Sequence, residues 1–273
     1  MADELLVLGT GAAEGIPALF CECELCRQAA QRAGKDVRTR ASYQFGERLR
    51  VDWPPDSLAQ MHRYGLDYSK LQHLLITHSH YDHFFAGDLD MRRPGFSVVS
   101  QPLHLYGNRA TLRLARRALK RWRRHRLTMH LIGPGGEVNL AGHRVLAIPA
   151  THAPLEKAMN FLVERHGFSV LIGTDTGWWK EEAWRLLEGK RLDVVLMDCT
   201  YGGHEARDQH LGGAAVIELK QAMLARGLIS ETTQFFATHF SHNGGLLHHQ
   251  LEEMLNPHGV QVAYDGVRIP LQR

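Results

Sequence analysis

No stretch of this 273-residue chain approaches the roughly 20 consecutive apolar residues that a membrane-spanning helix needs, which excludes a helical integral membrane protein. Low-complexity runs, long linkers and close internal repeats are also missing, so disordered tails and tandem arrays are set aside. Cysteine is scarce, with 4 residues, too few for a disulfide-built scaffold. The first residues lack the pattern of a secretory leader, so the expectation is a soluble, cytoplasmic protein with no membrane partner. The net charge of +3 is mild, and a hydrophobic content of 44% is enough to bury a substantial core.

What is present is concentrated. The apolar run Leu74-Leu75-Ile76-Thr77 is followed at once by His78-Ser79-His80-Tyr81-Asp82-His83. The run reads as a short buried strand, and the loop at the carboxyl end of such a strand is where α/β folds bind ligands. His78 and His80, two apart, can point the same way and ligate one ion. Asp82 and His83, past the turn, can present a carboxylate and an imidazole to a second ion nearby. Neutral imidazole and carboxylate suit zinc, manganese or iron. With 18 histidines in the chain, solvated loop histidines are the plain alternative, but H-x-H-x-D-H directly after a buried strand is a demanding pattern. Further ligands belong at the ends of other strands. His152 follows Val145–Pro149, Asp175 follows Ser169–Thr174, and His239 follows Gln234–Thr238. Each alone would pass for a capping or surface group; with the first motif they read as a set.

Together these residues resemble the metallo-β-lactamase superfamily, beginning at Leu5-Leu6-Val7-Leu8-Gly9-Thr10-Gly11 and reaching His239. The resemblance implies an α/β fold, the four-layer αββα sandwich, as a single hydrolase domain over residues 1–273. Its two half-sandwiches would meet near 132–136, where Ile132-Gly133-Pro134-Gly135-Gly136 supplies turn residues. It further implies that His78, His80 and His152 bind one metal, that Asp82, His83 and His239 bind the other, and that Asp175 bridges them. Asp82 then counts among the catalytic residues as well.

Three thiols fall within six residues in Cys21-Glu22-Cys23-Glu24-Leu25-Cys26. Cys21 and Cys23 are too close for an easy disulfide, and thiolate clusters in a reducing compartment usually bind zinc. A structural zinc needs a fourth ligand, with Cys199 and the late histidines as the options. The cluster narrows the resemblance. C-x-C-x-x-C after the first glycine turn, with Thr238-His239-Phe240-Ser241-His242, is similar to the phosphoribosyl cyclic phosphodiesterase family of the carbon-phosphorus lyase pathway. That likeness implies a structural zinc on Cys21, Cys23, Cys26 and His242, and a catalytic histidine at His210. Val195–Cys199 also resembles its counterpart there. The pyrroloquinoline quinone biosynthesis protein B family shares the cysteines but lacks the full active-site ligand set.

The expectation is therefore a phosphodiesterase with two Mn2+ or Zn2+ ions and one structural Zn2+. Its substrate would be a small phosphorylated sugar, 5-phospho-α-D-ribosyl 1,2-cyclic phosphate, opened to ribose 1,5-bisphosphate. A metal-bridging hydroxide would attack, with His210 as general acid and Arg92 and Arg93 gripping a second phosphate. From Leu112 to Arg126 the chain is strongly basic, with Leu112, Ala115, Leu119 and Trp122 at helical spacing, which reads as one basic helix. That helix is a solvated face, a nucleic-acid or anionic-membrane surface, or a field drawing in an anionic substrate. It keeps a ribonuclease Z-like RNA phosphodiesterase as an alternative, although no exosite arm is visible. A non-catalytic metal-binding accessory protein and a glyoxalase II-like thioesterase are the others. Trp178-Trp179 reads either as a homodimer interface or as core. Val51-Asp52-Trp53-Pro54-Pro55 stands where the family commonly has a D-x-G turn.

Overall fold

The computed structural model describes residues 4–119 and 121–272. Fourteen strands follow one another as β1 (Glu4–Gly9), β2 (Ser42–Phe45), β3 (Leu49–Val51), β4 (His73–Leu75), β5 (Leu103–Gly107), β6 (Leu127–Leu131), β7 (Glu137–Leu140), β8 (His143–Pro149), β9 (Met159–Arg165), β10 (Phe168–Gly173), β11 (Val194–Asp198), β12 (Gln234–Thr238), β13 (Gln261–Val262) and β14 (Arg268–Pro270). The helices are α1 (Glu24–Arg32), α2 (Ser57–Tyr64), α3 (Arg109–Ala118), α4 (Glu181–Leu187), α5 (Gly213–Ala225) and α6 (His248–Leu255). Two seven-stranded sheets result, one ordered β14-β1-β2-β3-β4-β5-β6 and the other β13-β12-β11-β10-β9-β8-β7. The chain passes from the first to the second through residues 132–136, between β6 and β7.

The apolar runs explain why the sheets stack. In β10 and β11 nearly every residue is apolar because both faces are covered, and period-two alternation sorts the side chains. Val170, Ile172, Val194 and Leu196 enter the space between the sheets, meeting Val7, Val51 and Leu75 of the first sheet. Their neighbours Leu171, Val195 and Met197 face outward, under Val216, Leu219 and Met223 of α5 and Leu251 and Leu255 of α6. On the far side, Leu74, Leu105 and Leu127 face outward and are covered by Leu112, Ala115 and Leu119. Three apolar interfaces separate four layers, the αββα order expected from the sequence.

Strand direction then gathers the loops. β3 through β6 are mutually parallel, as are β10 through β13, and β8 runs with β10 because both are antiparallel to β9. The carboxyl ends of β3, β4, β8, β10, β11 and β12 are thereby the sources of the loops described below.

The basic segment departs from expectation. The helix covers Arg109–Ala118 and is capped at Leu119, rather than continuing to Arg126. Arg121 and Arg126 take left-handed backbone conformations, and only a short turn over Trp122–His125 lies between them. Leu112, Ala115 and Leu119 are buried on the sheet and Trp122 packs against the same cluster, so the apolar spacing tracked burial beyond the end of the helix. Lys120 lies outside the described residues. Trp179 is buried, bonds Asn160 Oδ1 at 3.0 Å, and belongs with Trp178 to the core beneath α4 and α5.

Leu196, fully buried between the sheets, sets the scale of this core. Leu196→Ala is expected to lower unfolding stability by about 2–5 kcal/mol. Urea unfolding checks this, and a loss under about 1 kcal/mol would mean the inter-sheet packing is looser than described.

Candidate functional site

Six strand ends supply the site. His78, Ser79, His80, Asp82 and His83 follow β4; His152 follows β8; Asp175 follows β10; Asp198 ends β11; His239 follows β12; and Asp52 follows β3. The structure places the expected metal ligands in two groups, His78, His80, His152 with Asp175, and Asp82, His83, His239 with the same Asp175, and a further overlapping group joins Asp175 and His239 to Asp198 and His210. Within each group the ligand atoms lie within 4.8 Å of one another. Asp175 Oδ2 stands 3.1 Å from His78 Nε2 and 2.8 Å from His83 Nε2, while its Oδ1 stands 2.9 Å from His239 Nε2. His80 Nδ1 and His152 Nε2 face each other at 3.1 Å, and His83 Nε2 and His239 Nε2 at 3.3 Å.

These contacts fit divalent cations better than they fit each other. Despite these short approaches, His78 Nε2 and Asp175 Oδ1 are buried without a hydrogen bond of proper geometry, which is rare for polar atoms unless something else takes up their lone pairs. The opposite ring nitrogens are bonded away from the centre. Asp52 takes the Nδ1 of His83 at 2.7 Å. Thr77 Oγ1 donates to Asp52, which leaves it to accept from His78 Nδ1 at 3.1 Å. Thr200 Oγ1 likewise donates to Asp198 and meets His239 Nδ1 at 2.9 Å. A carboxylate or hydroxyl behind a histidine fixes its tautomer and aims the other nitrogen at a metal.

Electrostatics follow the geometry. Burial works against ionising Asp175, but His239 and His83 overcome it and hold its pKa well below the usual carboxylate value. Asp82 is kept low against burial chiefly by His83. His152, short of such compensation, is pushed by burial down to about 4 and stands as a neutral imidazole, the ligating form.

His210 lies where these groups open to solvent. A cavity of about 270 Å³ is lined by His80, Asp82, His152, Asp175, His210 and His239, together with Glu14, Tyr201, Ser241 and Asn243. Asp198 Oδ2 holds His210 Nδ1 at 3.0 Å, leaving Nε2 for the cavity. Burial opposes a charge on His210, and Asp198 outweighs it, raising the pKa. Asp198 itself is held down to about 2 despite burial, chiefly by His210.

Beside the cavity, Cys21, Cys23, Cys26 and His242 form a separate group. His242 Nδ1 is 3.6 Å from Cys21 Sγ and 3.5 Å from Cys23 Sγ. The Cys26 backbone N–H donates to Cys23 Sγ and is the main cause of a thiol pKa lowered to about 6, within reach of the thiolate that metals bind. Three sulfurs and an imidazole are a tetrahedral zinc donor set. Of the two options for the fourth member, Cys199 is instead buried in the core, where desolvation pushes its thiol up. His242 Nε2 faces Glu14 Oε1 at 3.5 Å, and Glu14 lines the cavity, so the two centres share a wall.

Arg92 and Arg93 are not brought into the cavity. Arg92 donates to the carbonyls of Gln101 and His125, and Arg93 pairs with Asp90 at 3.3 Å and lies over the Phe96 ring. No Arg or Lys lines the cavity among the described residues. Two residues of consequence escaped the reading of the sequence. Asp52 was noticed only as a departure from a common turn, and Asp198 only within a similar stretch, yet each anchors site histidines from behind. The available signal was position: an acidic residue at the end of a strand-like apolar run.

Asp52→Asn keeps the shape and removes the charge behind His83 and Thr77. It is expected to weaken metal affinity by about 10- to 100-fold, read by chelator competition with circular dichroism as the control for folding. Unchanged affinity would show that Asp52 serves the loop rather than the metal ligands.

Among known structures, the chain is similar to a diphosphatase from the PhnP family, with TM-score 0.78 and 24% identity over 98% of this chain and 97% of that one. It is similar to zinc-bound PqqB from Methylobacterium extorquens, with TM-score 0.75 and 19% identity over 98% of this chain and all of the other. The short form of human tRNase Z superposes with TM-score 0.67 and 16% identity, covering 99% and 100% of the two chains. At these identities the likeness is one of fold. An octanoyltransferase of Porphyromonas gingivalis is 36% identical over 89 residues, 31% of this chain and 17% of its own length, so the chain spans less than a fifth of that relative. Residues 48–240, from β3 through the loop bearing His239, match the beta-lactamase superfamily domain, and the chain belongs to that family.

Proposed function

We propose that the protein is a metal-dependent phosphodiesterase that opens a cyclic phosphodiester on a ribose, with 5-phospho-α-D-ribosyl 1,2-cyclic phosphate as substrate and ribose 1,5-bisphosphate as product. The observation that carries the reading is the pair of donor groups fused through Asp175, with His210 on the wall of the same cavity. Membership of the superfamily implies divalent metal binding and hydrolysis, and two of the structural neighbours, a diphosphatase and a tRNase, bear names of phosphate-cleaving enzymes. The completeness of the donor set favours an enzyme over a non-catalytic accessory protein.

When bound, two divalent cations would make a water-derived nucleophile available near neutral pH and neutralise charge growing on the phosphoryl group. Imidazole and carboxylate accept manganese and zinc alike. The chain's own part is positioning and proton transfer. His78, His80 and His152 would hold one ion and Asp82, His83 and His239 the other, with Asp175 shared. The rings of His78, His83 and His239 are oriented by the groups behind them, so these donors are set before substrate arrives. His210 gives the departing ribose oxygen its proton from Nε2, with Asp198 fixing the ring through Nδ1.

On a diester with a poor, alkoxide-like leaving group, His210→Ala is expected to reduce turnover by about 10²–10⁴-fold. A nitrophenyl diester, whose leaving group needs no proton, should be hydrolysed nearly as well as before. Full turnover of the poor-leaving-group diester would remove His210 from the mechanism, and activity surviving exhaustive chelation would remove the metals.

A further inference from the structure

Residues 91–136 contain ten arginines and one lysine and no aspartate or glutamate. With the whole chain at +3, the remainder is net −8, so the mild total conceals a strongly polarised molecule. Part of that positive charge has a defined shape. Arg109, Arg113, Arg116 and Arg117 of α3, with Leu112 and Leu131, line a cavity of about 470 Å³ between the helix and β6, the edge strand of its sheet. None of the four arginines pairs with a carboxylate among the described residues, whereas Arg93 and Arg144 elsewhere do. Arg109, Arg113 and Arg117 succeed one another by about one turn, a row about 12 Å long at 1.5 Å rise per residue.

The row begins at the metal-ligand loop. Asn108, which caps α3, donates from Nδ2 to Glu156 Oε2 at 3.3 Å, and the same oxygen accepts the backbone N–H of Ser79 at 2.9 Å, between His78 and His80. α3 starts at the carboxyl end of β5, beside that of β4, so Arg109 is nearest the site and Arg117 farthest. The catalytic cavity, by contrast, is lined by no arginine or lysine among the described residues. α3 presents four arginines to a groove, where the cavity lining presents none.

We infer that the α3 groove binds single-stranded RNA and that the cyclic ribose phosphodiester opened at the metal centre is the one ending such a strand. This rests on the phosphodiesterase reading and extends its substrate from a free sugar to a strand terminus. A repeating phosphate backbone matches a repeating row of guanidinium groups. A lipid surface fits less well, because the apolar stripe of α3, Leu112, Ala115 and Leu119, is already spent on the sheet. In the reaction a water oxygen bonds to phosphorus, one of the two ester bonds to the ribose opens, and the freed ribose oxygen takes up the proton.

The test uses the metal-loaded protein and the outward-facing double variant Arg113→Glu/Arg117→Glu. A short labelled single-stranded RNA ending in a 3′-hydroxyl reports binding by fluorescence anisotropy. The same RNA ending in a 2′,3′-cyclic phosphate, and the corresponding cyclic mononucleotide, report turnover. The double variant is expected to bind RNA at least tenfold more weakly, with a salt dependence shallower by about 1.4 log units per decade, at about 0.7 for each phosphate that the variant leaves without its arginine. It should raise KM for the RNA terminus and leave the cyclic mononucleotide unchanged. Equal RNA binding by both proteins, equal effects on both substrates, or tighter binding to phosphatidylserine vesicles than to RNA would each overturn the inference. If RNA binding depends on the arginines but the cyclic RNA terminus is not opened, the groove stands as an RNA site and the terminal-substrate assignment falls; 5-phospho-α-D-ribosyl 1,2-cyclic phosphate assayed beside it separates the two readings, since its opening keeps the phosphodiesterase reading and its survival removes that reading as well.

Discussion

Asp175 is a fully buried carboxylate with no lysine or arginine beside it, and removing such a charge from water costs several kcal/mol unless something nearby compensates. Compensation comes from His78, His83 and His239, each with a ring nitrogen within about 3 Å, and those three histidines arrive from two different sheets. The same carboxylate is thus a contact between the halves of the sandwich and the shared member of both donor groups. Moving either sheet relative to the other would break the second role as well as the first, so the precision of the site is inherited from the packing of Val170, Ile172 and Leu196 against Val51 and Leu75.

Local backbone geometry supports this reading. Asp52, Asp175 and His239, none of them glycine, all adopt left-handed conformations, with φ of 63°, 49° and 62°. Such conformations disfavour L-residues and persist only where surrounding contacts over-determine them. Here each lies within two residues of a strand end and is held by a side-chain contact into the site: Asp52 to Thr77 and His83, His239 to Thr200, Asp175 to the histidine rings. A chain leaving its sheet in the ordinary direction would carry these side chains elsewhere.

How much of this could be read in advance varied with the kind of interaction. The sandwich and the candidate ligands were legible because their signals are local: apolar runs of strand length, each followed by a histidine or aspartate. The division of the first motif into two pairs followed from its spacing, but the assignment of His152, Asp175 and His239 to those pairs came from resemblance, since spacing in the chain cannot say that His152 meets His80 rather than His83. Asp52 and Asp198 stayed hidden because nothing local separates a carboxylate that orients a histidine from one that caps a loop. Arg92 and Arg93 misled for the converse reason: adjacent arginines near a motif suggest a phosphate grip, but neighbouring carbonyls and Asp90 had already claimed them. The basic helix was overextended because Trp122 keeps the burial pattern after the backbone has turned.

The thiol cluster joins positions 219 and 221 residues apart, Cys23 and Cys21 with His242. At a synthesis rate of about 5–20 residues per second, the cysteines emerge on the order of ten to forty seconds before their imidazole partner does. During that interval three nearby sulfurs have only each other, water and any passing soft cation for company. The four-membered set, and the wall it shares with the cavity through Glu14, can therefore exist only after His242 has been made, so the thiols wait for a partner that no local segment of the chain supplies.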